Sequence, residues 1–317
     1  MKIKIVFFLV LNLFIAEVTA GGLLFPLDCQ LGTNCWLSRL PRHYFKDKQL
    51  DFRCGPITKD NNLGTEFIIK DMQQMMEGVD VIAPISGQVI AKQDGHEDNL
   101  SLGGDSCGNM ITIANEQFIV IFCHLKNMSV RLNKGEKVNT GDVIGQVGAS
   151  GYVDHPKLFM KLEMVDDDKV RDLDPFYGRQ LDCGLPPESL WENVELMDFN
   201  ARTGIVFNYG FAFDNITAYI IANGEHKKNI PANPKIFVGF VEMLSVNKGD
   251  VVNISITDSS GSVIASRKHE FGKFQTRYLL YVEKNLRQQK IRGNFELKIK
   301  YQHYDGKEEE FTDKIKL

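Results

Sequence analysis

Between residues 57 and 164 the apolar positions come in short runs, at 57–67, 79–82, 88–91, 111–113, 118–122, 143–147 and 158–164, separated by glycine and polar turn residues. Regular short runs of this kind argue for an all-β domain rather than βαβ units. The last run alternates: Leu158, Met160, Leu162 and Met164 are interleaved with Lys157, Phe159, Lys161 and Glu163. Side chains along a strand alternate between its faces, so the apolar set is expected on the core and the other set on the opposite face. Residues 110–113 and 118–122 read as a hairpin around Ala114-Asn115-Glu116. Residues 70–77, with three methionines, predict a brief helical turn or loop, and 95–106 predicts a long polar surface loop.

The pattern changes near Glu195. Segments 204–213, 218–222, 235–243, 250–257, 262–269, 278–282 and 294–301 predict seven strands, with turns at Ser259-Ser260-Gly261 and Tyr304-Asp305-Gly306. That count and spacing predict an immunoglobulin-like β-sandwich. No chemical constellation stands out in it, and His226 and His269 read as surface residues. At the other end, Lys2 and Lys4, an apolar stretch over 5–15 and the small residues Val18-Thr19-Ala20 read as a secretory signal peptide. The stretch is shorter than the roughly 20 apolar residues a bilayer span needs, so no membrane span is expected after cleavage. The expected organisation is a signal peptide at 1–20, a disulfide-stapled lead-in at 21–55, a β-sheet core domain at 56–193 and the sandwich at 194–317.

Composition narrows the partners. The 317 residues carry 37 Lys and Arg against 41 Asp and Glu, with no long single-sign block, which argues against nucleic acid. The Asp166-Asp167-Asp168 run lacks the further oxygen ligands of a calcium loop and reads as a solvated turn. All six cysteines follow the signal-like segment, and an even number in an exported chain favours disulfides over free thiols. Folding the 110–122 hairpin brings Cys107 opposite Cys123; Cys29 and Cys35 close a short local loop; Cys54 and Cys183 remain for each other by elimination. Zinc binding by these thiols is disfavoured because no close C-x-x-C pair exists.

Several motifs lie in a fixed order: Asn62-Leu63-Gly64-Thr65-Glu66, the 81–89 segment, Cys107-Gly108-Asn109, Phe122-Cys123-His124-Leu125, Gly148-Ala149-Ser150-Gly151 and Pro156-Lys157-Leu158-Phe159. Over residues 27–191 this series resembles the antiparallel β-sheet core of the M23 (LytM or lysostaphin-type) zinc metallopeptidases, in particular a secreted, cysteine-containing branch. In that family a His-x-Gly-x-Asp motif and the second His of His-x-His hold the zinc, while further histidines serve proton transfer and the oxyanion. Three protein ligands leave one position for a water whose pKa the metal lowers. The resemblance puts Asn62 at the first ligand histidine, Glu66 at the aspartate, Lys157 at the base histidine and Phe159 at the second ligand histidine. His124 alone keeps its family identity.

An amide is a poor zinc ligand, and a phenyl ring offers no lone pair. A lysine charge about 5 Å from a divalent ion costs several kcal/mol even at an effective dielectric near 20. The expectation is therefore a pseudoenzyme that needs no cofactor. Its groove is formed by Asn62, Glu66, His124, Lys157, Phe159 and Lys161, and an ion pair between Lys157 and Glu66 fills the metal position while Phe159 excludes water; the competing expectation is that Lys157 reaches out to solvent and Glu66 is hydrated. By resemblance such a secreted protein, periplasmic or extracellular, binds peptidoglycan peptide or regulates a cell-wall hydrolase. Two alternatives stand beside this. One is an active zinc endopeptidase with a remodelled ligand set, for which His124, Glu66 and His155 are the groove-side candidates. The other is an adhesion or interaction protein that works through its C-terminal sandwich.

Overall fold

The structure is a computed structural model that describes residues 22–317 apart from 102, 104, 168, 181, 187, 193–202, 229–230, 232–233 and 287–290. The signal-like segment at 1–20 and the expected domain boundary at 193–194 lie outside the described residues. The lead-in forms β1 (Cys35–Arg39) and a small hairpin, β2 (His43–Phe45) with β3 (Lys48–Leu50). Then follow β4 (Thr65–Ile69), α1 (Met72–Glu77), β5 (Asp80–Ile82), β6 (Gly87–Gln93), β7 (Asn109–Ala114), β8 (Phe118–Leu125), β9 (Lys137–Val138), β10 (Val143–Gln146), β11 (Lys157–Asp166) and β12 (Lys169–Leu173). The C-terminal part carries β13 (Ile205–Ala212), α2 (Ala218–Ala222), α3 (Glu225–Lys228), β14 (Ile236–Val246), β15 (Val251–Asp258), β16 (Val263–Glu270), β17 (Gln275–Asn285), β18 (Asn294–Gln302) and β19 (Glu308–Lys316). The protein is nearly all β.

One antiparallel sheet organises the first part, in the order β1-β4-β11-β8-β7-β6-β9, with β12 also paired to β11. The alternation of β11 is realised: Leu158 lies beside Phe67 of β4, Met160 beside Phe122 of β8, and all four are buried on the core face. The methionine-rich segment is a one-and-a-half-turn helix, α1, started by Asp71, whose carboxylate accepts from the Gln74 N–H at 3.0 Å. Asp71 also receives the Lys227 ammonium from α3 at 2.5 Å.

The lead-in is more than an irregular strap. It supplies β1 as an edge strand, and His43 reaches Asp174 at 2.8 Å in the interior, where burial holds the Asp174 carboxyl above its usual range against the pull of His43. The Cys54–Cys183 disulfide ties it down, Cys29–Cys35 closes a short loop within it, and Cys107–Cys123 completes the set. The hairpin that motivates the last bond has a different register from the one expected: Ala114 faces Ile119, and the strands slip between Asn109 and Ile111. Cys107 reaches Cys123 because the chain turns at Gly108, at φ 64°, where a Cβ would sit 2.5 Å from the Ser150 backbone.

The C-terminal part packs the sheet β13-β14-β17 against the sheet β16-β15-β18-β19, with Phe237 and Val241 meeting Ile254, Ile256, Leu297 and Ile299 between them. Among the described residues seven strands are present, but not the seven expected. Residues 218–222 form helix α2, because Thr217 caps the Ile220 N–H and the apolar run is too short to pair. In exchange 308–316 is a strand: Phe311 and Ile315 pack on the core while the charges that hid the pattern face water. His226 is half-buried and set edge-on against Phe240, rather than a free surface residue. The two parts meet through a buried apolar contact of Trp36, Ile68, Phe207 and Leu244.

Candidate binding groove

Sheet register lines up a row of side chains across four strands. Arg39 of β1 is opposite Glu66 of β4, Glu66 opposite Phe159 of β11, and Phe159 opposite Cys123 of β8. The next row on the same face holds Trp36, Ile68 and Lys157. The first row floors a groove of about 510 Å³ that Lys59, Asn62, His124, Asp154, Lys157 and Lys161 also line. The second row is where the C-terminal sandwich lands, through Phe207 on Trp36 at 5.7 Å between ring centres. The sandwich thus stands directly beside the groove.

Glu66 is buried, yet three cations surround its carboxylate: Lys157 at 3.2 Å, Lys59 at 3.1 Å and Arg39 through Nε at 3.4 Å. Burial pushes its pKa up, but Lys157, Lys59 and Arg39 outweigh that and hold it below the usual carboxylate range. The expected Lys157–Glu66 pair is thus present, and it is one contact of a larger cluster. Lys157 also approaches Asp154 at 3.6 Å, Asp154 lies 3.7 Å from Arg277 of β17, and Arg277 lies 3.5 Å from the fully buried Glu242 of β14. A chain of alternating charges therefore runs from the groove floor into the sandwich. Lys161 points to the groove rim but is taken by Glu163 at 2.5 Å and Asp172 at 2.8 Å.

His124 closes the row by a backbone device. Strand alternation would send it to the face opposite Cys123, but it sits at φ 65° in the irregularity between β7 and β8, which re-aims its ring into the groove. Its Nδ1 is 3.0 Å from the Ser150 carbonyl oxygen. A carbonyl only accepts, so Nδ1 carries the hydrogen and Nε2 keeps its lone pair. Burial and the nearby Lys157 charge lower the His124 pKa to about 4, so the ring is neutral at physiological pH.

Residues 72–173 match the family model described as "Peptidase family M23". The β-sheet domain belongs to peptidase family M23. The chain is also 25% identical over 114 residues to the cell division protein DipM of Caulobacter vibrioides; that match takes 35% of this chain and 18% of DipM, so the chain spans less than a fifth of this relative. Among solved structures, the catalytic domain of the prophage-encoded M23 protein EnpA from Enterococcus faecalis is similar at 19% identity, covering 43% of this chain and 88% of that one, with a TM-score of 0.28. The SpoIIQ–SpoIIIAH pore-forming complex is similar at 17% identity over 44% and 81% of the two chains, with a TM-score of 0.30.

The donors of this M23 domain do not fit the family's zinc. Asn62 donates both amide hydrogens, to the Leu40 and Gly64 carbonyls at 2.6 and 2.7 Å. Glu66 has its oxygens in the cation cluster, and the Phe159 ring lies so close over Gly64 that a Cβ there would be 2.5 Å from it. His155 does not reach the groove at all. It is buried at the domain contact, donates from Nε2 to the Ile69 carbonyl at 2.6 Å and faces Phe207, so the ligand set His124, Glu66 and His155 is not assembled. The residues that sequence reasoning missed are Arg39 and Lys59. Arg39 ends strand β1 and Lys59 lies in a loop, neither belongs to a motif, and only register and loop packing bring them to Glu66.

Proposed function

We propose that the M23 domain is a binding module without zinc hydrolase activity and that its groove holds peptidoglycan peptide. The observation that carries this reading is the cation-clamped Glu66. Where a zinc would need a free carboxylate and two imidazoles, three positive side chains surround a single carboxylate, and a divalent ion entering there would meet their repulsion at close range. The groove's volume of about 510 Å³ and its charged, open lining support binding, and the similarity to a cell division protein supports a role at the cell envelope. The three disulfides support an oxidising, extracytoplasmic setting, and no helix among the described residues is long and apolar enough to cross a membrane.

The test pairs metal analysis with a binding assay on the purified full chain. Expected are substoichiometric zinc after incubation with excess metal and desalting, retention on insoluble peptidoglycan, and no release of soluble muropeptides. Stoichiometric zinc together with chelator-sensitive muropeptide release would overturn the reading.

A further inference from the structure

The cation cluster holds more positive charge than Glu66 can neutralise, and the surplus lies at the groove surface. Lys157 divides itself between Glu66 and Asp154 and is buried. Arg39 and Lys59 are different. Arg39 touches Glu66 only through Nε, and among the described residues its two terminal nitrogens have no acceptor. Lys59 gives one hydrogen to Glu66 Oε1, and among the described residues its half-exposed ammonium has no second partner. Lys161, by contrast, already has two carboxylates. Two cations therefore stand at one end of the groove, pinned at their inner side by Glu66 and with donors left over. A guanidinium fork held at Nε presents its remaining N–H groups in the geometry that takes both oxygens of a carboxylate.

We infer that Arg39 and Lys59 form a carboxylate subsite, so that the groove selects an acidic peptide carrying a free carboxylate at the segment bound beside Glu66. The inference rests on the reading of the groove as a peptide site and adds the charge of its ligand. Glu66 acts here as a positioning residue: it fixes both cations without neutralising them, so little side-chain freedom is lost when the ligand arrives. The lone pair on His124 Nε2 complements this by accepting an amide N–H of the same ligand.

The experiment is a calorimetric titration of the full chain with two synthetic cell-wall stem peptides of one sequence, one with free carboxylates and one with every carboxylate amidated. The free acid is expected to bind at least about tenfold tighter at low salt, the size of a charge-assisted hydrogen-bond contribution. The preference should shrink as ionic strength rises. Arg39→Gln should bring the two peptides to similar affinity. Lys59→Gln, on a half-exposed side chain whose loss leaves Lys157 and Arg39 on Glu66, is the second variant and should cut the preference several-fold. Equal binding of the two peptides to the unaltered chain, or a preference untouched by both variants, overturns the carboxylate subsite and leaves the groove reading standing. Binding of neither peptide overturns both.

Discussion

A buried carboxylate is costly unless it is paired, and Glu66 is paired three times over. That redundancy sets the size of the first prediction. Stranding Glu66 completely would cost about 3–5 kcal/mol, but Lys157→Met leaves Arg39 and Lys59 in place, so a loss of about 2 kcal/mol is expected. Glu66→Gln in the same chain should recover part of it, giving a non-additive cycle in urea unfolding, and an additive cycle would show that the contact is not energetic. His124 makes the second prediction. Its pKa falls from 6.5 to about 4 on folding, so the unfolded chain takes up the proton first. This contribution to stability is complete above pH 6.5 and is lost as pH falls toward 4, about 3 kcal/mol over that interval. His155, lowered to about 3 by burial and the Arg277 charge, acts in the same direction. His124→Asn keeps an N–H for the Ser150 carbonyl and tolerates positive φ, so it should flatten the pH dependence of the urea midpoint between neutrality and pH 5.

Among the elements, the lead-in depends most on covalent anchoring. β1 is an edge strand, β2 and β3 form an isolated hairpin, and neither would persist by backbone pairing alone. The Cys54–Cys183 bond spans 129 residues, whereas Cys29–Cys35 spans 6. Loop-closure entropy then assigns the long bond about 5 kcal/mol and the short one about 2 kcal/mol. Thermal unfolding of the paired serine variants is expected in that order, Cys54/Cys183 well below Cys29/Cys35. The reverse order would mean that the lead-in holds without its staple. Because Cys54 lies five residues before Lys59, the long bond is also expected to matter for the groove: its loss should weaken acidic-peptide binding before the sandwich unfolds.

For the whole molecule, the decisive feature is that the sandwich packs on the groove face of the M23 sheet, with Arg277 bridging Asp154 and Glu242. Glu242 is fully buried, and burial raises its pKa although Arg277 and Asn208 oppose the shift. Removing Arg277 leaves that carboxyl with Asn208 alone, so Arg277→Met is expected to destabilise the sandwich by about 3 kcal/mol, and Glu242→Gln to relieve most of the loss. Calorimetry checks this, with a separate lower-temperature transition as the signature of a sandwich released from the M23 domain. A single unshifted transition would show that the apolar contact of Trp36 and Phe207 suffices.

Much of this was legible along the chain. Strand periodicity carries the all-β class and the inward set of β11, because alternation is a property of a single strand. Motif order carries the M23 likeness and places Asn62, Glu66, His124, Lys157 and Phe159 together, and the even cysteine count carries the presence of disulfides, whose full connectivity the fold supplies. Those features depend on neighbours in sequence or on intervals between landmarks. What only the tertiary structure decided depends on pairing between distant segments. Arg39 faces Glu66 by the register of β1 on β4, and Lys157, 91 residues from Glu66, meets it across β4 and β11. His155 lies in the domain contact against Phe207 and not in the groove. The single strand knows which of its faces is apolar, but charge partners, and with them the surplus at the groove end, are set only when sheet register and domain docking choose which face meets which.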